Sequence, residues 1–205
     1  MKYCCDSKIE ALSALRKKQS SVLKIVLVIN FAMFFVEMGA GLIAGSSALI
    51  ADSLDMLGDA SVYAFSLYVI DLGKVWQIRA ALLKGAIMAM FAVFTTGKIV
   101  HEWITGTIPV AETMGVIGFA ALFANLICLL LLYRHRSDDI NMSSTWICSR
   151  NDVFSNAGVL LASYFVLKTN SNWPDILIGG IIAFVFAISA FEVLREALKL
   201  QQKTR

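Results

Sequence analysis

Residues 46–70 read SSALIADSLDMLGDASVYAFSLYVI, an apolar run that is long enough to cross a lipid bilayer and is interrupted by three carboxylates. Asp52, Asp55 and Asp59 are spaced i, i+3 and i+7, so a helix places them along one stripe. An ionisable side chain at membrane depth costs about 2.5–3.5 kcal/mol even on the most lenient scale, so such residues indicate function. We therefore expect the stripe to face the inside of a helix bundle or a hydrated cavity.

A second polar pair stands near the start of a later apolar run, residues 144–167, which reads STWICSRNDVFSNAGVLLASYFVL. Cys148 and Asp152 repeat the i, i+4 spacing of Asp55 and Asp59. Four such ligands on two helices can converge on one tetrahedral metal site. Two alternatives stay open: a cysteine in a membrane helix is often an apolar filler, and protonated aspartates can link helices by hydrogen bonds. The paired spacing favours a metal site.

Further ionisable residues lie near these pairs or at the chain start. Glu37 is either a proton carrier or a buried, hydrogen-bonded carboxyl group, and Asp52 suits a functional and a structural role equally. Cys4 and Cys5 could capture a soft metal ion, although they lie on a chain terminus. Glu102, near the end of the third apolar run, carries only a weak signal of function.

The composition predicts an all-α integral membrane protein. The chain has 205 residues, is 58% hydrophobic and has a mean hydropathy of +0.72, whereas soluble domains are about 45–50% apolar. Spans of about 20 residues leave room for six transmembrane helices and short connections. The predicted spans are 22–43, 48–70, 80–100, 113–133, 144–167 and 175–194, with Pro109 and Pro174 in connections. The domains expected are an N-terminal segment (1–21), a six-helix bundle (22–199) and a tail (200–205).

The basic residues predict the orientation of this bundle. Lysine and arginine cluster before the first span, in the second-to-third and fourth-to-fifth connections, and after the sixth span. The positive-inside rule then places both termini in the cytoplasm. The net charge of +3 reflects this bias and does not indicate nucleic-acid binding. The four cysteines are expected to be reduced thiols.

Four stretches of the chain resemble the cation diffusion facilitator family. GLIAGSSALIADSLDMLGDA (41–60) is similar to the signature of that family's second span. NLICLLLLYR (125–134), CSRNDVFSNAGVLLA (148–162) and NWPDILIGGIIAFVFAISAFEVLREA (172–197) look like its fourth, fifth and sixth spans. The resemblance covers about residues 22–199 and keeps the family's order of motifs.

This resemblance implies a secondary transporter, not an enzyme, that exports Zn²⁺ or a related divalent cation from the cytoplasm in exchange for protons. It implies a homodimer in the lipid bilayer, in a bacterial-type inner (plasma) membrane, without a prosthetic group. The transport site that it implies is tetrahedral and consists of Asp55, Asp59, Cys148 and Asp152.

Two departures from the family pattern shape the expectation. The position of Cys148 is usually histidine, and sulfur favours Cd²⁺, Hg²⁺ or Pb²⁺ beside Zn²⁺, and disfavours Mg²⁺ and Mn²⁺. The family's cytoplasmic C-terminal domain does not follow the sixth span, so the expectation is a short form of the transporter. The alternative is a non-transporting metal-binding or partner subunit with the same fold. Metal transport into sealed vesicles would separate the two.

Overall fold

The computed structural model describes residues 2–69, 74–134 and 140–204; for some of these, including Asp59 and Cys148, it describes the backbone alone. Within these ranges the chain forms α-helices and no strand, so the all-α prediction is confirmed. The helices are α1 (Lys2–Ala44), α2 (Ser47–Val69), α3 (Lys74–Thr105), α4 (Ala111–Tyr133), α5 (Ile140–Thr169) and α6 (Trp173–Thr204).

The helices extend beyond most of the predicted apolar spans. Helix α1 begins at Lys2 and α6 continues to Thr204, so both run well past the apolar residues. Pro109 lies in a connection, as predicted, but the placement of Pro174 in a connection is wrong. Pro174 is the second residue of α6, where a missing N–H costs no hydrogen bond because the first turn has no partner for it.

Among the residues that the structure describes, four helical segments are long and apolar enough to cross a membrane by length and composition: Ser21–Ala44, Ala81–Thr105, Ala111–Tyr133 and Trp173–Lys199. The other two helices, α2 and α5, have 23 and 30 residues. Helix α2 carries Asp52, Asp55 and Asp59, and α5 carries Asp152. The exposed surface of the described helices is rich in large apolar side chains, such as Ile43, Phe184 and Val93. The chain is therefore a multi-pass membrane protein.

Helix α2 occupies the interior of the bundle, because it packs against α1, α3, α5 and α6. Helix α3 packs along α6, and α4 packs along α5 and α1. One buried apolar cluster joins α2 to α4 and α5 around Leu49 and Met114, and another joins α2 to α3 and α6 around Ile50 and Phe186. The polar stripe of α2 consequently faces other helices.

Three connections meet at one end of the bundle, which we call the distal end: α1–α2, α3–α4 and α5–α6. The backbone N–H of Val110 donates to the Ala44 carbonyl at 2.9 Å, which ties the α3–α4 connection to the end of α1. Gly45 turns the chain between α1 and α2 with φ of +74°, in the left-handed region that glycine adopts without strain.

Candidate metal centre

Helix α2 supplies the first half of the candidate site. Asp52 is 1% exposed, whereas Asp55, almost one turn further on, is half-buried. Asp59 follows Asp55 by four residues on the same helix, so its Cα lies above the same helix face. Because α2 is one continuous helix over this segment, it places the three aspartates along one stripe, as the spacing predicts.

Helix α5 supplies the second half. Asp152 is 3% exposed, and its backbone carbonyl accepts a hydrogen bond of 2.8 Å from the Nδ2 group of Asn156. This bond holds the buried Asn156 side chain against its own helix, one turn beyond the carboxylate. Cys148 precedes Asp152 by four residues, so the helix places both on one face.

Asp55 and Asp152 line the same cavity, which has a volume of about 320 Å³. Helices α2, α3, α5 and α6 form its wall, and the lining residues are Asp55, Gly58, Met88, Asn151, Asp152, Ser155, Ile181, Ile182, Val185, Phe186, Ser189, Glu192 and Val193. The lining residues of α6 belong to the middle and later part of that helix, so the cavity extends away from the distal end. The lining thus combines carboxylate and hydroxyl groups with apolar side chains.

The structure thus brings together two of the four predicted ligands, Asp55 and Asp152. The side chains of Asp59 and Cys148 lie outside those that the structure describes, as do those of Cys4 and Cys5. Among the described side chains, no three His, Cys, Asp or Glu residues are grouped closely enough to hold a metal ion. The four-residue ligand set remains a prediction.

The acidic stripe of α2 extends to α1 through Glu37. Glu37 is 0% exposed, and within the described part of the chain neither of its carboxyl oxygens has a hydrogen-bond partner. Asp52, on the neighbouring helix α2, is also buried, and its Oδ2 atom has no hydrogen-bond partner in the described part of the chain. The charge of a buried carboxyl group without hydrogen-bond donors is neutralised by a proton or by a bound cation.

A second buried acidic pair, Glu102 and Asp175, lies at the distal end. The two oxygens of Asp175 accept hydrogen bonds of 2.6 Å from the Ser46 hydroxyl and the Ser47 backbone N–H. The Ser47 hydroxyl donates in turn to Glu102 Oε2. Glu102 carried only a weak signal of function in the sequence, and no functional role was predicted for Asp175. A signal existed, since two serines before an apolar run mark a helix start whose N–H groups need acceptors.

Comparison with known proteins identifies the chain's relatives. Zinc transporter ZitB of Yersinia pseudotuberculosis is 21% identical over 202 residues, which cover 91% of this chain and 65% of that protein. Zinc transporter ZitB of Escherichia coli is 24% identical over 184 residues, covering 83% of this chain and 58% of that protein. Metal cation efflux system protein CzcD of Cupriavidus metallidurans is 24% identical over 190 residues, covering 87% and 60%. The chain therefore spans about two thirds or less of these relatives.

The model of the cation efflux transmembrane domain matches residues 23–200, which is most of the chain and includes both halves of the candidate site. Members of this family are transporters and not enzymes, as the sequence analysis expected. The family resemblance predicted from four short motifs is confirmed by this match. The chain belongs to the cation efflux family of metal transporters, of which it contains the transmembrane domain.

Proposed function

We propose that this chain exports divalent metal cations from the cytoplasm in exchange for protons. The observation that carries the proposal is the cavity that Asp55 of α2 and Asp152 of α5 line together. An aspartate on each of two packed helices supplies oxygen ligands from opposite sides, as a metal site between helices requires. The names of the relatives, zinc transporters and a metal cation efflux protein, agree with this kind of cargo.

The proposed binding site contains Asp55, Asp59, Cys148 and Asp152. Two carboxylates one turn apart on α2 and a thiolate and carboxylate one turn apart on α5 match the four corners of a tetrahedron. The metal ion is the cargo and not a resident cofactor, so the site must also release it. The cavity extends along α6 away from the distal end, and we assign it the role of the route by which the ion reaches these ligands.

Protons supply the proposed means of release. Metal and protons compete for the same lone pairs, so protonation of the ligands weakens the site. Glu37 and Asp52 extend the acidic stripe toward α1 and lie buried without access to bulk water. We assign them the role of holding protons while the metal is absent.

In the proposed arrangement all six helices cross a bacterial-type plasma membrane and both termini lie in the cytoplasm. The cavity then lies on the cytoplasmic side of the distal end, and the distal end faces the outside. A second copy of the chain and the lipid bilayer cover the exposed apolar surface. A thiolate in the site favours Zn²⁺, Cd²⁺ and other soft ions over Mg²⁺ and Mn²⁺.

The test is purified protein in liposomes, exposed to Zn²⁺, Cd²⁺, Mn²⁺ and Mg²⁺ with and without an imposed pH gradient. We expect uptake of Zn²⁺ and Cd²⁺ that the gradient accelerates and that is absent in protein-free vesicles. Metal binding without uptake would overturn the proposal in favour of the non-transporting subunit. Uptake that ignores the pH gradient would overturn the proton exchange and leave the metal transport.

A further inference from the structure

The distal end of the bundle is held by a group of polar contacts that the proposed metal site does not use. Besides its 2.6 Å bonds, Asp175 lies 3.4 Å from the backbone N–H of Ala48, so its carboxylate caps the first turn of α2. The Nζ of Lys98 donates to the Gly45 carbonyl at 3.2 Å, and Asn172 Nδ2 donates to the Glu102 carbonyl at 3.2 Å. These contacts join α2, α3 and α6 at their distal ends.

The two carboxyl groups of this cluster are adjacent and buried. Glu102 and Asp175 are both 0% exposed, and both accept a hydrogen bond from Ser47, Glu102 from its hydroxyl group and Asp175 from its backbone N–H. Glu102 Oε1 has no hydrogen-bond partner among the described residues, although it is buried in this cluster. Two carboxyl groups that are bonded to one residue and shielded from water repel each other when both are charged, so such a pair favours a state in which it holds one proton.

The other ionisable groups around the pair do not neutralise both charges. Lys98 faces Glu102 but directs its ammonium group to the Gly45 carbonyl. The remaining ionisable residues near the distal ends of the helices are the exposed His101, Glu112 and Lys168, and the deeper Asp52 and Glu37. One lysine can balance the charge of only one of the two carboxyl groups, so the other is neutralised by a proton.

We propose that Glu102 and Asp175 form a proton-sharing latch that keeps the distal end shut, and that loss of the shared proton opens it. The role of the latch in transport rests on the proposed function. With the proton in place, one carboxyl group donates to the other and both hold the first turn of α2. Without it, two negative charges in contact repel each other and attract water.

The close approach of α6 to α2 makes this latch act on the metal site. A Cβ atom on Gly179 would lie 3.1 Å from the Ser47 carbonyl carbon and 3.2 Å from the Ala48 nitrogen, so the helices touch through their backbones. Separation of α6 from this turn therefore displaces α2, which carries Asp55 and Asp59. Glu102 and Asp175 are positioning residues that act through α2 and do not bind the metal.

The direction of the pH effect follows from proton linkage. The shut state holds one more proton than the open state, so raising the pH favours opening, by at most about tenfold per pH unit for one proton. Protons that reach the distal side shut the latch again. In the proposed exchange cycle, this step returns the metal site to the cytoplasmic side after release.

Hydrogen exchange of the unmodified protein tests the latch without any substitution. The backbone N–H groups of residues 46–50 are followed by mass spectrometry in nanodiscs without metal, from pH 6 to pH 8, and corrected for the intrinsic exchange rate. We expect protection of this segment to fall by up to about tenfold per pH unit over part of the range. Protection that stays constant across the range overturns the proposal.

Two variants and one control identify the groups involved. In Glu102→Gln the amide can donate to Asp175 permanently, so we expect high protection that no longer depends on pH. In Asp175→Asn the cap of α2 is weakened, so protection should be low and equally independent of pH. Glu112→Gln removes an exposed carboxylate at the same end and should behave as the unmodified protein does. A pH dependence that persists in Glu102→Gln overturns the assignment, even if Asp175→Asn does not fold.

Transport in proteoliposomes supplies a second measurement. Glu102→Gln should lower the maximal rate of metal transport, flatten its dependence on the distal pH and leave the metal concentration for half-maximal rate nearly unchanged. If the metal concentration for half-maximal rate changed by as large a factor as the maximal rate, Glu102 would be a metal ligand and the positioning role would be overturned. If the unmodified protein moves no metal, the proposed function fails, while the exchange measurement still tests the latch. If metal moves but protection ignores pH, the latch alone fails.

Discussion

The molecule contains two pairs of carboxyl groups in contrasting surroundings. Asp55 and Asp152 line a cavity of about 320 Å³ in the middle of the bundle. Glu102 and Asp175 are 0% exposed at the distal end, where serine hydroxyls and backbone N–H groups contact them directly. Both pairs are acidic, but the central pair lines a cavity, whereas the distal pair accepts hydrogen bonds from serine hydroxyls and backbone N–H groups.

Under the proposed function, this difference separates a site that binds and releases metal ions from a site that holds helices together. A transported ion must enter, shed water and leave, which requires space and ligands that are free to rearrange. A carboxylate that accepts backbone N–H bonds at the start of a helix is held by charge-assisted hydrogen bonds and by the helix dipole. Such a group stabilises the fold, and moving it moves the helix.

The largest effect is expected from the proposed metal ligands, which include the central pair. Asp152→Asn, and likewise Asp59→Asn, should lower metal uptake into vesicles by at least about 100-fold, because loss of one of four ligands cripples binding. Expression and folding should stay largely intact, since removing an ionisable group from membrane depth costs no insertion energy. Glu112→Gln, which changes an exposed carboxylate outside the cavity, is the matched control. Normal uptake by either asparagine variant would refute the assigned site.

Metal affinity should also depend on pH. The ligands bind metal only after losing their protons, so the apparent affinity rises with pH. While the Cys148 thiol is still protonated in the free site, each pH unit should increase affinity by about tenfold for that one proton. Calorimetry in buffers of different ionisation enthalpy measures the protons released on binding. Affinity that is constant from pH 6 to pH 8, with no proton release, would contradict both the ligand set and the exchange mechanism.

The distal pair should matter more for stability than the central pair does. Asp175→Ala leaves the Ser46 hydroxyl and the Ser47 N–H without their acceptor, which should cost about 2 kcal/mol of unfolding free energy. Asp55→Ala removes a carboxylate from a cavity and should cost little or even stabilise the fold. Thermal unfolding in one detergent, with Glu112→Ala as control, compares them. Equal losses for Asp55→Ala and Asp175→Ala would remove the distinction between the two pairs.

Much of the fold follows from the sequence because lipid restricts the choices. A chain in hydrocarbon must satisfy its backbone polar groups internally, so a long apolar run predicts a helix. This constraint predicts the central part of each helix but not its ends. Helices α1 and α6 continue through polar residues to Lys2 and Thr204, where hydropathy gives no signal. Pro174 was misplaced for the same reason, since a helix start tolerates proline.

In the candidate site, too, the spacing of residues within one helix can be predicted from the sequence, whereas contacts between helices cannot. The i, i+4 spacing places Asp55 and Asp59 on one helix face, and this could be read from the sequence alone. The contact between Ser46 and Asp175 joins residues separated by 129 positions and depends on how α6 packs against α2. No local pattern specifies that packing, so the distal pair emerged only from the structure.

The smallest effect is expected from substitutions of Cys148. They test whether the proposed metal site prefers soft metal ions. A thiolate is softer than the imidazole that the family usually has at this position, and it carries a charge. Cys148→His should therefore preserve transport and shift the ratio of Zn²⁺ to Cd²⁺ uptake toward Zn²⁺ by several-fold, on the order of 1 kcal/mol. Cys148→Ser supplies a poor hydroxyl ligand and should weaken uptake of both ions.

Competitive uptake of Zn²⁺ and Cd²⁺ into the same vesicles measures this ratio for the unmodified protein and both variants. Because both ions are present together, differences in protein amount or orientation cancel in the ratio. An unchanged ratio in both variants would make Cys148 a packing residue. The fourth ligand would then have to come from elsewhere, and Asp52 is the next candidate, since it lies on the same stripe of α2 and is buried beside Asp55. In that case Asp52→Asn, and not Cys148→Ser, should abolish uptake.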